Sequence, residues 1–321
     1  MAGLLLSLTV AVFLTGRTVL TGPADRGTTA SVALAGDILL DRGVAREMEA
    51  HGLSYPLDGV APFLRSADLA FANLEGPVTD RGGPLPKEFV FRAPPEAALA
   101  LKRAGLGIVS LANNHTLDYG PEGLADTVAR LERQGVATVG AGPDRARARQ
   151  PRVIRLHGLS LAFLAFNGFP NEVLAPVSTE PSVAALETGS LAAEVAAAKR
   201  AADVVIVSLH WGEEFSQVPT EGQRRLAREA VDAGATLVVG HHPHVLQPIE
   251  EYRRGLIAYS LGNLVFDQDR PETARSALLV VRLSRAGLES WDVIPLTISD
   301  CRPGPATGPA AVAIRAALGA R

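Results

Sequence analysis

The sequence predicts an α/β fold built on a mostly parallel sheet. Short apolar runs rich in β-branched residues alternate along the chain with helical patterns, an order typical of parallel sheets. Several of these runs end in residues that can bind a metal ion. The chain has 321 residues, which is enough for one large α/β domain or two smaller ones with a sizeable core.

Composition excludes several classes of protein. Hydrophobic residues make up 47% of the chain and charged residues 20%, which is typical of a globular protein. The net charge of -3 and the absence of a basic block argue against a nucleic-acid partner. Cys301 is the single cysteine, so an intrachain disulfide and a cysteine-based metal site are both excluded.

The N-terminal residues 1–30 indicate export. They begin with an apolar run of about a dozen residues, which suits the core of a signal peptide and is short for a membrane span. Residues 18–30 are typical of a flexible spacer. We expect an extracytoplasmic protein, secreted or anchored to the membrane by its N-terminus. A buried cytosolic helix is the alternative, because no basic residue precedes the apolar run.

The first two predicted strands each deliver a carboxylate beside a glycine. Residues 31–36 form the first strand, and Asp37 follows its final glycine. Glycine allows a sharp turn, which places Asp37 at the strand end; capping the helix predicted over 43–51 is its other possible role. The second unit, residues 68–76, delivers Glu75 in the same way.

The third unit carries a polar turn. Residues 77–95 are rich in proline and glycine and predict a long loop beside the site. A helix with proline at its start and glycine at its end follows, and then a strand over 107–113. Four side chains of the following turn can take part in chemistry: Asn113, Asn114, His115 and Asp118. An amide oxygen and an imidazole suit a borderline metal, and Asp118 can orient the imidazole.

The middle of the chain continues the α/β pattern and then departs from it. Leucine and valine at helical spacing predict a helix over 121–135, and a strand follows. Residues 152–169 read as a hairpin with His157 at its turn rather than in a metal site. Residues 170–189 lack periodicity and are predicted to be a loop.

The fourth and fifth units deliver most of the histidines. An alanine-rich helix precedes the apolar strand that ends at His210, and Glu214 follows shortly after it. A second helix leads to the strand over 235–240. Three of the chain's seven histidines follow that strand within four residues: His241, His242 and His244.

The C-terminal part is predicted to close the fold. Residues 252–267 read as strand–turn–strand, and residues 276–296 as a hairpin. A proline- and glycine-rich linker over 301–310 and a short terminal helix complete the chain. We expect a main domain over 31–300 and a tail over 301–321.

The strand ends are expected to meet at one edge of the sheet, because strands in a parallel sheet share a carboxyl edge. The residues that would converge there are Asp37, Glu75, Asn114, His115, His210, His242 and His244. Carboxylate, amide and imidazole without thiolate suit one or two Mn, Fe, Zn or Mg ions. A pair of divalent ions can clamp an oxyanion and lower the pKa of a bridging water.

Six segments resemble the motif series of the CapA family of poly-γ-glutamate capsule synthesis proteins, which is similar to the calcineurin-like metallophosphoesterases. They are GDILLDRG, NLEGPVTDRG, LANNHTLDYG, LHWGEEF, GHHPHVLQPIE and YSLGNLVFDQ. The resemblance covers roughly residues 31–297. It implies a metallophosphatase-like α/β fold, a four-layer αββα sandwich of two facing mixed sheets.

The resemblance also implies roles for single residues. The metal ligands would be Asp37, Glu75, Asn114, His210, His242 and His244, with Glu75 bridging two divalent ions. His115 would be the catalytic acid, with Asp118 beside it. Substrate contacts or supports of the ligands would be Asn113, Glu214, His241 and Asn263.

Three features depart from the wider superfamily. Asp37 lacks the histidine that usually follows two residues later, and Glu75 stands in place of a shorter aspartate. The histidine motif has one extra residue, so either His241 or His242 can be the ligand.

The resemblance implies one of three functions. The first is a metal-dependent hydrolase or transferase that acts on a phosphoester or an amide-linked anionic polymer in the cell envelope. The second is a non-catalytic part of a membrane-bound complex for polymer synthesis and export. The third is a phosphoesterase unrelated to a capsule.

Overall fold

The computed structural model of the chain describes residues 28–169, 179–187 and 189–320. The strands are β1 (Thr29–Ile38), β2 (Leu69–Leu74), β3 (Leu106–Ser110), β4 (Ala137–Val139), β5 (Ala141–Gly142), β6 (Arg152–Leu156), β7 (Leu159–Asn167), β8 (Ser182–Val183), β9 (Val204–His210), β10 (Leu237–His241), β11 (Leu246–Tyr252), β12 (Gly255–Leu261), β13 (Asn263–Val265), β14 (Arg275–Ser284), β15 (Gly287–Ser299) and β16 (Arg302–Pro305). The helices are α1 (Arg42–His51), α2 (Tyr55–Asp58), α3 (Ala61–Ser66), α4 (Ala97–Ala104), α5 (Gly120–Arg133), α6 (Arg145–Ala148), α7 (Leu191–Ala201), α8 (Glu221–Asp232) and α9 (Gly308–Leu318).

Two mixed sheets form the centre of the protein. The first sheet has the order β16-β15-β14-β1-β2-β3-β4, and β13 also pairs with β1. Its strands β1 to β4 are parallel, whereas β14 runs antiparallel to β1. The second sheet has the order β11-β12-β10-β9-β7-β6. Its strands β7, β9, β10 and β12 are parallel, and β6 and β11 run antiparallel at its edges.

The two sheets face each other, and helices cover their outer faces. Side chains alternate across a strand, so Val32 and Leu34 of β1 face the second sheet while Ala33 and Ala35 face the helices. The central core lies between the sheets; α1 to α5 pack on the first sheet, and α7 and α8 on the second. This arrangement confirms the predicted four-layer αββα sandwich.

Local sequence signals explain where the helices begin and end. Thr220 and Gln223 form a capping box at the start of α8. Gly105 ends α4 with a φ of 105°, a conformation that glycine adopts without strain. The hairpin of β6 and β7 turns at His157, as predicted, and the loop before α4 lies beside the site.

The structure differs from the sequence predictions in several places. Within the loop predicted over residues 170–189, Ser182 and Val183 form β8, which pairs with β5. The strand ends divide between two facing sheets, so a single sheet edge was wrong. Residues 246–252 form β11, which the sequence did not predict. Within the region expected to be a linker, β16 pairs with β15, and Ile314 and Leu318 of α9 are buried in the inter-sheet core. The C-terminal residues 302–318 therefore belong to the sandwich.

Within the described ranges, no helix combines the length and apolar character needed to cross a bilayer. Of the predicted N-terminal leader or anchor with its spacer, residues 1–30, the part over 1–27 lies outside those ranges, as do residues 170–178 of the predicted loop. Thr29 and Ala30, predicted to belong to the flexible spacer, instead begin β1.

Candidate metal centre

Asp37 lies near the end of β1, at the centre of the first sheet. Its partners in the neighbouring strands are Asn73 of β2 and Asn263 of β13. An alanine at Gly36 would place its Cβ 1.9 Å from the carbonyl oxygen of Gly262, so only glycine allows this close approach of strands. Asp37 is fully buried, and Asn73 Nδ2 donates to its Oδ1 over 2.8 Å.

Two groups of side chains can each hold a metal ion. In the first group, ligand atoms of Asp37, Glu75 and His210 lie within 4.8 Å of one another. In the second group, Glu214, His242 and His244 do the same. The structure thus brings together five of the sequence-predicted metal ligands, and Glu214 joins them as a potential ligand.

Glu75 belongs to the first group and also reaches a histidine of the second. Its Oε1 is 3.6 Å from His244 Nε2 and 4.0 Å from His115 Nε2. Its Oε2 is buried and has no hydrogen-bond partner among the described residues. A buried carboxylate oxygen without a partner is costly, and a cation bridged by this carboxylate would satisfy it.

The loop after β3 brings amide groups to the site. Asn114 Oδ1 lies 2.8 Å from His210 Nε2, which places the predicted amide ligand next to the first group. Asn113 has a structural role, because its Nδ2 donates to Leu74 O over 2.8 Å and its Oδ1 accepts from the His115 amide over 3.1 Å. It thereby fixes the turn that carries His115.

The three histidines after β10 have different environments. His241 is fully buried between the sheets, and its Nδ1 lies 3.2 Å from Asp37 Oδ1. His242 donates its backbone amide to Asp37 Oδ2 over 3.1 Å and is grouped with Glu214 and His244. The grouping with Glu214 and His244 favours His242 as the ligand, whereas His241 lies beside Asp37 without a hydrogen bond from either ring nitrogen to a described residue.

His242 and His244 have φ values of 94° and 59°. Such positive φ values are uncommon for residues other than glycine and concentrate at functional sites. Asn263 Oδ1 lies 2.9 Å from His244 Nδ1. This contact orients the ring so that its Nε2 faces Glu75.

His115 is held by a buried carboxylate. Its Nδ1 lies 2.8 Å from Asp118 Oδ2, while its Nε2 faces Glu75. Asp118 also accepts from Lys87 Nζ over 2.6 Å and from the Phe91 amide over 2.7 Å. The Phe91 ring stacks on the imidazole, with 4.0 Å between centroids. His115 is therefore fixed with one nitrogen directed at the centre.

Sequence reasoning did not identify Lys87, Phe91 or Phe169 as site residues. Phe169 packs on His242 with 4.0 Å between ring centroids. Lys87 and Phe91 lie in an irregular loop and Phe169 lies just beyond the end of β7, and at such positions local pattern does not show which side chain turns inward. One signal was available for Lys87, since the chain uses lysine at only three positions and arginine elsewhere.

Electrostatics agree with a cation at this position. Burial raises the pKa of Glu75 well above its usual value, and the charges of Asp37, Glu214 and Asp118 add to this. Burial would also raise the pKa of Asp37, but the nearby histidines outweigh it and lower that pKa. Two carboxylates crowded in this way favour binding of a divalent ion.

Burial keeps two of the imidazoles, those of His210 and His242, in the neutral form that binds metal ions. Burial lowers the pKa of His210 well below its usual value, and neighbouring His242 adds to this. Burial, followed by the charge of His244, lowers the pKa of His242 to about 3. Because metals bind deprotonated imidazole, these rings do not have to lose a proton at neutral pH. The donor set fits one or two divalent metal ions.

Comparison with known proteins finds sequence relatives over most of the chain. The family model described as "Bacterial capsule synthesis protein PGA_cap" matches residues 31–268. The chain is 35% identical over 278 residues to the PGA biosynthesis protein CapA of Bacillus subtilis, covering 86% of this chain and 73% of that protein. It is 32% identical over 266 residues to a probable polyglutamine synthesis accessory protein of Mycobacterium tuberculosis, covering 74% and 68%.

A solved structure shows the same fold. The NAD nucleotidase of Haemophilus influenzae superposes with a TM-score of 0.54 at 12% identity, covering 91% of this chain and 62% of that protein. At this level of identity the likeness concerns the fold alone. The match to the family model and the identity to CapA show that the chain belongs to the bacterial capsule synthesis protein PGA_cap family.

Proposed function

We propose that the protein is a metal-dependent hydrolase of the cell envelope that acts in the biosynthesis or processing of poly-γ-glutamate. The names of its relatives support the pathway, since two of them are a PGA biosynthesis protein and a capsule biosynthesis protein. The anionic polymer, or a phosphoester, would be the substrate. A membrane-bound synthesis complex would be the partner, in keeping with the N-terminal sequence.

One observation carries the enzymatic part of the proposal. Glu75 belongs to one potential ligand group and reaches a histidine of the other, and His115 points its Nε2 at the same carboxylate. Each of the two ligand groups would hold a divalent ion. Bound ions of this kind supply a Lewis acid and a water of lowered pKa. The ions can be Mn, Fe, Zn or Mg, because carboxylate, amide and imidazole ligands suit all four metals.

The protein side chains would position and protonate the substrate. Asp118 accepts a hydrogen bond from the Nδ1–H of His115, which leaves Nε2 to carry a proton to the leaving group. Lys87 holds Asp118 in turn. Phe91 covers one face of the imidazole and limits access of water to it.

A non-catalytic role is the second candidate. The relatives in Mycobacterium tuberculosis are named as probable accessory proteins of polyglutamine synthesis. In this case the centre would bind metal, or the polymer, to assemble a complex. The two candidates share the metal centre and differ in turnover.

Metal content and turnover test the proposal together. We expect purified wild-type protein to hold at least half an equivalent of a transition metal, and His210→Ala to lose it. His51→Ala is the matched control, because His51 is exposed and pairs with Glu47 over 3.4 Å at the end of α1. Absence of metal from the wild type would refute the centre.

Turnover is measured on poly-γ-glutamate and on a model phosphodiester. We expect metal-dependent cleavage that disappears in His115→Ala while the metal content stays unchanged. A metal-loaded wild type that cleaves neither substrate would favour the accessory role. Cleavage of the phosphodiester alone would favour a phosphoesterase unrelated to a capsule.

A further inference from the structure

Two arginines lie over phenylalanine rings beside the metal centre. The guanidinium of Arg42 is 4.7 Å from the ring centroid of Phe91 and 5.6 Å from that of Phe266. The guanidinium of Arg270 is 4.0 Å from the ring centroid of Phe215. Stacking of this kind fixes the plane of a guanidinium while leaving its edge free to bind.

Each of these rings also packs against a histidine of the centre. Phe91 stacks on His115 at 4.0 Å, and Phe266 lies 4.7 Å from His244. Phe215 lies 6.4 Å from His244 and follows Glu214 directly in the chain. Both guanidinium groups are therefore separated from the candidate metal ligands by a single aromatic ring.

Both arginines retain donors for a ligand. Arg42 uses Nη2 to pair with Asp267, and its side chain is 35% exposed. Arg270 is exposed and forms no ion pair with any residue in the described ranges. A guanidinium has five N–H donors in a planar fork, so a single pair with Asp267 leaves most of them for another oxyanion.

We infer that Arg42 and Arg270 bind oxyanions of the substrate next to the group that reacts. The inference rests on the proposed function and specifies its substrate as a chain with at least two anionic groups besides the reacting one. Arginine at a stacked, partly exposed position is suited to bidentate binding of carboxylate or phosphate. A neutral polymer would gain no binding affinity from Arg42 and Arg270.

Binding of a defined probe tests the inference. Fluorescently labelled, γ-linked pentaglutamate is titrated into metal-loaded full-length protein, and its anisotropy is followed. We expect Arg42→Gln and Arg270→Gln each to weaken binding by about tenfold, since a hydrogen bond to a charged group is worth about that factor. The wild-type affinity should also fall with salt, and metal content should not change.

Arg253→Gln is the matched control. Arg253, like Arg42, has a φ of 52°, lies over an aromatic ring (Tyr252, at 5.4 Å) and pairs with an aspartate (Asp232, at 2.6 Å). It sits at the turn between β11 and β12, at the end of β12 remote from Asn263. We expect this variant to bind the probe as tightly as the wild type.

Failure of the inference can be told apart from failure of the proposed function by using tripolyphosphate as a second probe. Wild-type binding of pentaglutamate that neither arginine affects would overturn the inference and leave the function standing. Arginine-dependent binding of tripolyphosphate without binding of pentaglutamate would support the inference and refute the polymer as ligand. A wild type that binds neither probe would refute the inference.

Discussion

Replacement of Gly240 by alanine should disturb both the fold and the metal centre. Gly240 precedes His241 at the end of β10, and a Cβ added at this position would point toward β12. An added Cβ would lie 1.9 Å from the carbonyl oxygen of Tyr259 and 2.4 Å from Trp211 Nε1. That nitrogen donates to the same carbonyl over 3.1 Å, so the methyl group would occupy the space of an existing hydrogen bond.

The cost follows from the two effects. Overpacking in a well-packed core costs about 1–3 kcal/mol, and loss of one hydrogen bond costs about 1 kcal/mol. We therefore expect Gly240→Ala to lower the free energy of unfolding by about 2–4 kcal/mol. Since the backbone must move by about 1 Å to relieve the contact, which active-site geometry does not tolerate, His242 and His244 should shift and metal content should fall.

Urea unfolding and elemental analysis measure the two effects. Gly304→Ala is the control, because Gly304 also lies in a strand but a Cβ there would meet no atom within 4 Å. We expect the control to change the free energy of unfolding by less than about 0.5 kcal/mol, as exposed substitutions usually do. A Gly240→Ala protein with wild-type stability and metal content would refute the reasoning.

Three further predictions concern the ionisable groups. Asp118→Asn should lower the free energy of unfolding, measured in urea, by about 1–3 kcal/mol. This is less than the loss of a fully buried ion pair would cost, because Lys87 is 23% exposed. An unchanged free energy of unfolding would show that the carboxylate is not needed to hold Lys87 and His115. For metal-free protein, the raised pKa of Glu75 means that the folded state binds this proton more tightly than the unfolded state. The contribution of this proton to the stability of the folded state is complete below pH 4.5, the usual pKa of glutamate, and is lost as the pH rises through the raised pKa of Glu75. In the presence of a chelator, the protein should therefore unfold at lower urea concentration at high pH than at low pH. Glu75→Gln should remove this pH dependence, and a variant that keeps it would point to another group. Burial lowers the pKa of His115 from 6.5, although Asp118 opposes the shift, so turnover that needs its proton should decline as pH rises through a value below 6.5. A pH profile of initial turnover of the model phosphodiester that shows no declining limb would exclude His115 as the acid.

The sequence predicted the local elements well because most have strong periodicity. The buried strand that ends at His210 is apolar on both faces, and α5 carries leucines at helical spacing. The polar residues at strand ends were also identifiable, because glycine next to a carboxylate or histidine interrupts an apolar run. These signals depend only on neighbours in the chain, which is why they can be read without a structure.

The arrangement of the strands in space required other information. Local pattern does not show that β1 pairs with β14 or that β9 belongs to a different sheet from β3. A single sheet edge was therefore the simplest prediction, and it was wrong. The two facing sheets followed only from the resemblance to a known family.

Some residues of the site carry no local signal at all. Lys87 and Phe91 lie in an irregular loop and reach His115 across tertiary contacts. The strand β11 was missed because its sequence, LQPIEEY, combines three polar residues with a proline and lacks a clear alternation. It forms at the edge of the second sheet, where proline is tolerated.

The division of the ligands between two sheets gives a bound metal a mechanical role. Asp37 lies in β1 and Glu75 directly follows β2 of the first sheet, whereas His210 ends β9, and His242 and His244 follow β10, of the second sheet. An ion held by both sets would link the two sheets, and its binding energy would oppose their separation. At a free metal concentration 1,000 times the dissociation constant, metal binding would add about 4 kcal/mol to the free energy of unfolding. The abundance of the folded protein in its compartment would then follow the local supply of the metal.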